Sequence, residues 1–149
     1  MRLLHKITLE VFAKPEEDVQ AIKQALVELV PLNLEEEKIQ LQDKQAKGFN
    51  ERMIHVFTII LSKESHTNAF LKFFLKKLSA EQKEFLLRQK ESRIDKDLNF
   101  FIRLDKENWL KERVFWITDN GDCFHLKFML AVFPKKRDVA LELIDKTFA

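Results

Sequence analysis

Apolar and polar residues alternate from Leu3 to Ala13, with Ile7, Leu9 and Val11 set against Lys6, Thr8 and Glu10. This period of two predicts a half-buried first strand. Pro15 then stands at a first-turn position with Glu16, Glu17 and Asp18 behind it, where carboxylates favour the positive end of a helix dipole. Val19, Ile22, Leu26 and Leu29 recur at helical spacing until Pro31 ends the run. After an acidic connector, Leu32 to Glu37, the segment Lys38 to Lys47 alternates Ile39 and Leu41 with polar neighbours and reads as a hydrophilic strand exposed on one face. Gly48 to Arg52 forms a turn, and the β-branched and aromatic run Met53 to Lys63 forms a strand placed centrally in the sheet. These two strands make a hairpin.

A helix begins near Thr67, with Phe70, Phe73, Phe74 and Leu78 on one broad face. Ser79 and Gln82 have the spacing of a capping box and introduce a second helix, Ala80 to Gln89, anchored by Phe85 and Leu86. Leu98 to Leu104 reads as a strand, and Lys106 to Lys111 as a short helical turn that brings Trp109 and Leu110 down as a lid. The strongest local signal lies beyond it. Two β-rich runs, Arg113 to Thr118 and Cys123 to Phe133, flank Asp119, Asn120, Gly121 and Asp122, where Asn-Gly supplies the positive φ of a tight hairpin. Phe124, Leu126, Phe128, Leu130 and Val132 share one face. On the other, Cys123, His125 and Lys127 precede Met129, Ala131 and Phe133, which predicts polar exposure near the turn and deeper burial toward the exit. There the chain breaks into Pro134, Lys135, Lys136 and Arg137, and a helix from about Asp138 to Phe148 closes it with Ala140, Leu143, Ile144 and Phe148 on one side. The expected fold is α+β. It is one domain, residues 1–149, with a single mixed or antiparallel sheet of about six strands and helices mainly on one face.

Composition narrows the function. Lys and Arg number 26 against 24 Asp and Glu, a net charge of +2, so a case for nucleic acid rests on where cations cluster rather than on their total. With only 2 Gly in the chain, a glycine loop cradling phosphate is not expected. The single cysteine, Cys123, excludes disulfides within the chain and fits a reducing compartment. No run approaches the roughly 18 apolar residues of a membrane span, and charges interrupt the first twelve residues where a secretory signal would be apolar. A soluble cytoplasmic protein is the expectation.

The candidate chemistry is electrostatic. Lys135, Lys136 and Arg137 precede the last helix, whose free N–H groups would also favour an anion, so they are read as a phosphate-binding cluster. Lys44, Lys47, Arg52, Arg103 and Lys106 extend this patch if the sheet gathers them; otherwise they are ordinary solvated cations. Phe49, in the turn, is the aromatic placed to stack on an unpaired base, whereas Trp109 and Trp116 are assigned to core or lid. Asp95 with Asp97, and Asp119 with Asp122, read as carboxylates capping backbone rather than as acid/base or magnesium pairs. His5, His55, His66 and His125 have no metal-ligand spacing, and Cys123 lacks a neighbouring helix start or cation cluster to activate it. No catalytic residue, metal or cofactor is expected.

Several strings carry a likeness to a known family. They are His5 to Phe12 followed by the acidic helix, Asn68-Ala69-Phe70, Arg93-Ile94-Asp95, and Phe101 and Arg103 in the strand ending Asp105-Lys106. Thr118 to Asp122 and Phe133-Pro134-Lys135-Lys136-Arg137 complete the set. The chain resembles the archaeal predicted exosome-associated RNA-binding proteins, whose fold is similar to that of the ribosomal protein that binds 5S ribosomal RNA. The resemblance implies a non-catalytic protein that contacts structured RNA mainly through phosphate and sugar, in RNA processing or with the exosome. One turn departs from the family. Its usual Gly-Asn-Pro-Ile is replaced by Gly48-Phe49-Asn50-Glu51-Arg52-Met53-Ile54, in which Glu51 would repel phosphate. The rival reading is a protein-interaction module or homodimer that docks through a sheet edge or the surface around Phe49.

Overall fold

The computed structural model describes residues 2–48 and 52–149; the expectation for Phe49 falls outside them. Alternation at the N-terminus becomes β1 (Leu4–Ala13), in which Ile7, Leu9, Val11 and Ala13 are fully buried. There follow α1 (Val19–Glu28), β2 (Leu41–Lys47), β3 (Met53–Leu61), α2 (Glu64–Lys77), α3 (Ala80–Arg88), β4 (Asn99–Asp105), α4 (Lys106–Glu112), β5 (Cys123–Leu130) and α5 (Arg137–Phe148). The strands form one open antiparallel sheet in the order β2-β3-β1-β5-β4. The fold is α+β as expected, with five strands rather than about six.

The strand that does not form is Arg113 to Thr118. Arg113 closes α4 in the left-handed region, φ 54°, and turns the chain toward β4 instead of into a hairpin with β5. Asp105 N–H donates to Trp116 O at 2.7 Å and Thr118 N–H to Arg103 O at 2.9 Å, leaving only an isolated bridge between Leu104 and Ile117. Gly121 does not use a positive φ. The 119–122 turn is instead built from side chains: Asn120 N–H donates to Thr118 Oγ1 at 3.1 Å, and Asp122 N–H to Asn120 Oδ1 at 2.9 Å. In the sheet, β5 lies between β1 and β4.

Contacts divide the chain into two compact units, Met1–Ile7, Leu61–Ile102 and Lys127–Ala149 in the first and Thr8–Ile60 and Arg103–Leu126 in the second. In the first unit an aromatic core forms around α2. Phe70 and Phe74 stack at 5.8 Å and meet Phe128 edge-on at 6.1 and 5.6 Å, while Phe100 lies 5.7 Å from Phe148 of α5. The capping box is present: Ser79 Oγ accepts from Gln82 N–H and Gln82 Oε1 accepts from Ser79 N–H. Because β5 ends at Leu130, Phe133 is released from the sheet pattern and is 94% exposed, the reverse of the expected burial.

In the second unit α1 starts later than the proline suggested. Asp18 is the N-cap, accepting from Ala21 N–H at 3.1 Å, so Pro15, Glu16 and Glu17 lie ahead of the helix. Trp109 is buried, its indole N–H donating to Ala25 O at 2.8 Å and its ring 5.3 Å from Phe115. Trp116 is 60% exposed and belongs to neither core nor lid. β2 and β3 form the expected hairpin, with Lys44 opposite Val56 and Lys47 opposite Met53. A Cβ at Gly48 would come within 2.2 Å of Ile54 Cδ1, the movable end of that side chain, while the nearest backbone atom, Arg52 O, stays 3.4 Å away; a larger residue there would need only Ile54 to turn aside.

Candidate nucleic-acid interface

In the first unit the basic string Lys135, Lys136 and Arg137 is fully on the surface. Lys136 is the N-cap of α5 and makes no side-chain cap, so the first-turn N–H groups of that helix are not taken by a capping side chain. Arg137 is anchored, its guanidinium donating to Glu91 O at 2.6 Å. Lys135 and Arg137 line a pocket of about 390 Å³ together with Lys96, His5, Asp95 and Asp97. Three cations therefore share its wall with two carboxylates. One carboxylate is engaged by the wall itself. Asp95 Oδ1 accepts from Asn99 N–H at 2.8 Å and Asp97 N–H at 3.0 Å, and Oδ2 from Asn99 Nδ2 at 3.2 Å. Burial alone would raise the Asp95 pKa, but these hydrogen bonds and the charge of Lys127 together hold it below the usual carboxylate range. Asp95 is thus a structural brace that keeps its charge.

The remaining candidates belong to the second unit, where their situations differ. Lys106 is buried. Its ammonium donates to Phe12 O at 2.8 Å and lies 2.8 Å from Asp122 Oδ1 and 3.2 Å from Glu17 Oε2. Three acceptors satisfy its three protons, so it has nothing to offer a phosphate and drops out of the surface set. Arg52 is paired with Glu16. Arg103, half-buried, donates to Asp119 O at 2.7 Å. Lys44 and Lys47 are both exposed, but three residues apart on β2 they point to opposite faces. On the strand positions that alternate with the core, Thr58 Oγ1 donates to Glu10 at 3.2 Å. His125 shares this surrounding: burial first, and then the Arg103 charge, lower its pKa, partly offset by Glu10. Cys123 is buried, which pushes its thiol up to about 11.

A family model described as RNA binding matches residues 6–130. The chain belongs to this RNA-binding family. Among its relatives, the RNA-binding protein PAB1135 of Pyrococcus abyssi is 22% identical over 140 residues, covering 94% of this chain and 90% of that protein. A Methanothermobacter thermautotrophicus protein solved as a DUF54 structure is 26% identical, with a TM-score of 0.79 over 99% of both chains. A second DUF54 structure, from Archaeglobus fulgidus, is 25% identical, with a TM-score of 0.85 over 97% of this chain and 99% of that one.

The RNA-binding family match stops at Leu130, so Lys96 lies within it while Lys135, Lys136 and Arg137 follow it. Sequence reasoning found that basic string because its members are contiguous. It missed Lys96 and His5, which reach the same pocket from distant segments, and it missed the exposure of Phe133 and Trp116. The only sequence signal for Phe133 was its place directly before Pro134 and the cations. Among the described residues no group of three or more His, Cys, Asp or Glu side chains gathers as a metal-ligand set, and no helix is long and apolar enough to cross a membrane.

Proposed function

We propose that this member of the RNA-binding family is a non-catalytic cytoplasmic protein that holds structured RNA mainly by its phosphates and sugars. The observation that carries the proposal is the convergence of Lys96, Lys135 and Arg137 on one pocket wall beside the uncapped start of α5. Cations gathered next to helix N–H groups, with Arg137 anchored to Glu91 O, suit a polyanionic backbone and read little sequence. Lys136 extends the patch in the same unit. Lys44, Lys47, Arg52 and Arg103 are proposed as secondary contacts, and Phe49 as an aromatic contact; Lys106 is not. A link to RNA processing or the exosome, and ribosomal RNA as a target, belong to the same proposal through the family likeness. Docking through a sheet edge is disfavoured, since exposed β2 carries Lys44 and Lys47, charges of the kind that blunt strand addition.

Salt dependence of binding tests this reading. For a helical RNA, log affinity should fall linearly with log salt, and replacing Lys135, Lys136 and Arg137 by alanine should weaken binding to every sequence alike. Each lost phosphate contact should flatten the slope by about 1. A triple variant with unchanged affinity and slope refutes the proposed contact.

A further inference from the structure

We propose that Phe133 is a stacking platform for one unpaired base, so that the RNA this protein prefers is an interrupted helix, with a bulge, loop or frayed end, rather than a continuous duplex. The inference rests on the phosphate-binding reading above and sharpens it. Among the exposed large hydrophobic residues, Phe133 stands apart at 94%, with Trp116 next at 60%. Most of the other described phenylalanines are drawn into the two cores, so the sequence could have buried this one. Instead β5 stops at Leu130, and the loop carries the phenyl ring outward immediately before Lys135, Lys136 and Arg137. Only Pro134 separates Phe133 from Lys135, so the ring and the first of the cations are near neighbours on one loop. Arg137 is fixed to Glu91 O and so gives the downstream end of the loop a firm seat.

The chemistry selects the occupant. A bare aromatic face flanked by three cations, without a carboxylate between Phe133 and Arg137, complements a group that is flat and apolar while its two neighbours are anionic. A nucleobase between two phosphates has that character. In a continuous helix the base faces are covered by their neighbours, and a phenyl ring outside the backbone meets none of them. An unpaired base can be splayed out and laid on the ring. Because every base presents a π-face, the contact adds affinity without demanding a sequence.

The test compares two RNAs built on the same helix, one continuous and one carrying a single-nucleotide bulge. Wild type, Phe133→Ala, Phe133→Trp and the Lys135, Lys136 and Arg137 triple alanine variant are titrated against both, and sedimentation velocity follows self-association. Losing one stacked base weakens binding roughly 5- to 150-fold. Phe133→Ala should show that loss on the bulged RNA and none on the continuous one, with an unchanged salt slope, and Phe133→Trp should restore binding. If Phe133→Ala matches wild type on both RNAs, or weakens both equally, stacking is overturned. The phosphate reading then still stands when the triple variant weakens both, and falls with it when the triple variant does not. If Phe133→Ala changes only self-association, the ring is a protein contact and the proposal is likewise overturned.

Discussion

Lys106→Ala separates a structural cation from a nucleic-acid ligand. The side chain is 5% exposed, while its partners Glu17 and Asp122 are 23% and 48% exposed. Breaking a wholly buried pair by removing one member costs about 3–5 kcal/mol. Here both abandoned carboxylates keep access to water, and exposed pairs contribute only about 0–1 kcal/mol each. To this is added the loss of the bond to Phe12 O, where an unsatisfied acceptor costs about 1–3 kcal/mol. A total near 2–3 kcal/mol follows, which for a chain of this size lowers Tm by about 4–12 °C. Thermal and urea unfolding followed by circular dichroism measure the loss, and RNA titration below the transition measures affinity. The expected outcome is reduced stability with unchanged RNA affinity and salt slope. An unshifted Tm together with weakened RNA binding would refute the reasoning and return Lys106 to the surface set.

Two further outcomes follow from the environments of Cys123 and His125. With burial pushing the Cys123 thiol up to about 11, only roughly one molecule in a thousand carries a thiolate at pH 8. Aromatic disulfide reagents should therefore modify the native protein far more slowly than the urea-unfolded one, and rapid native labelling would contradict the burial. NMR titration should find His125 below its ordinary value of 6.5, because burial and then Arg103 disfavour its charged form. Arg103→Ala should move it upward and Glu10→Gln downward. Since the folded pKa is depressed, His125 contributes stability that is fully present above its ordinary pKa and is lost as pH falls through the folded one. A midpoint at or above 6.5 would count against this arrangement.

Local periodicity carried most of the fold. The alternation of Ile7, Leu9 and Val11, the Ser79–Gln82 capping box and the β2–β3 hairpin are each settled by neighbours in sequence, and each is present as expected. The Asn120-Gly121 turn misled because its signal reports a local preference, whereas the partner of β5 is chosen by distant β1 and β4. Arg113 adopts its positive φ at a residue type for which that conformation is uncommon, so nothing in the string announced that the chain would turn toward β4. The candidate site divides along the same line. Lys135, Lys136 and Arg137 were legible as a contiguous string. The fate of Lys106 depended on Phe12 and Glu17, 94 and 89 residues away, and burial of a lysine cannot be read from its own neighbours. Phe133 was misjudged by continuing a strand pattern three residues past its end.

All seven residues of β2 except Leu41 face solvent, so this strand draws almost nothing from the hydrophobic effect and is held by its ladder to β3 and by the 2.9 Å contact between Asp43 and His55. Segments with so few apolar contacts breathe before the rest of a protein does. Lys44 and Lys47 thus ride on a compliant ribbon, able to follow the contour of a partner at small energetic cost, whereas Arg137, clamped to Glu91, dictates geometry to whatever it meets. The lysines of this ribbon yield, and the guanidinium of Arg137 holds still.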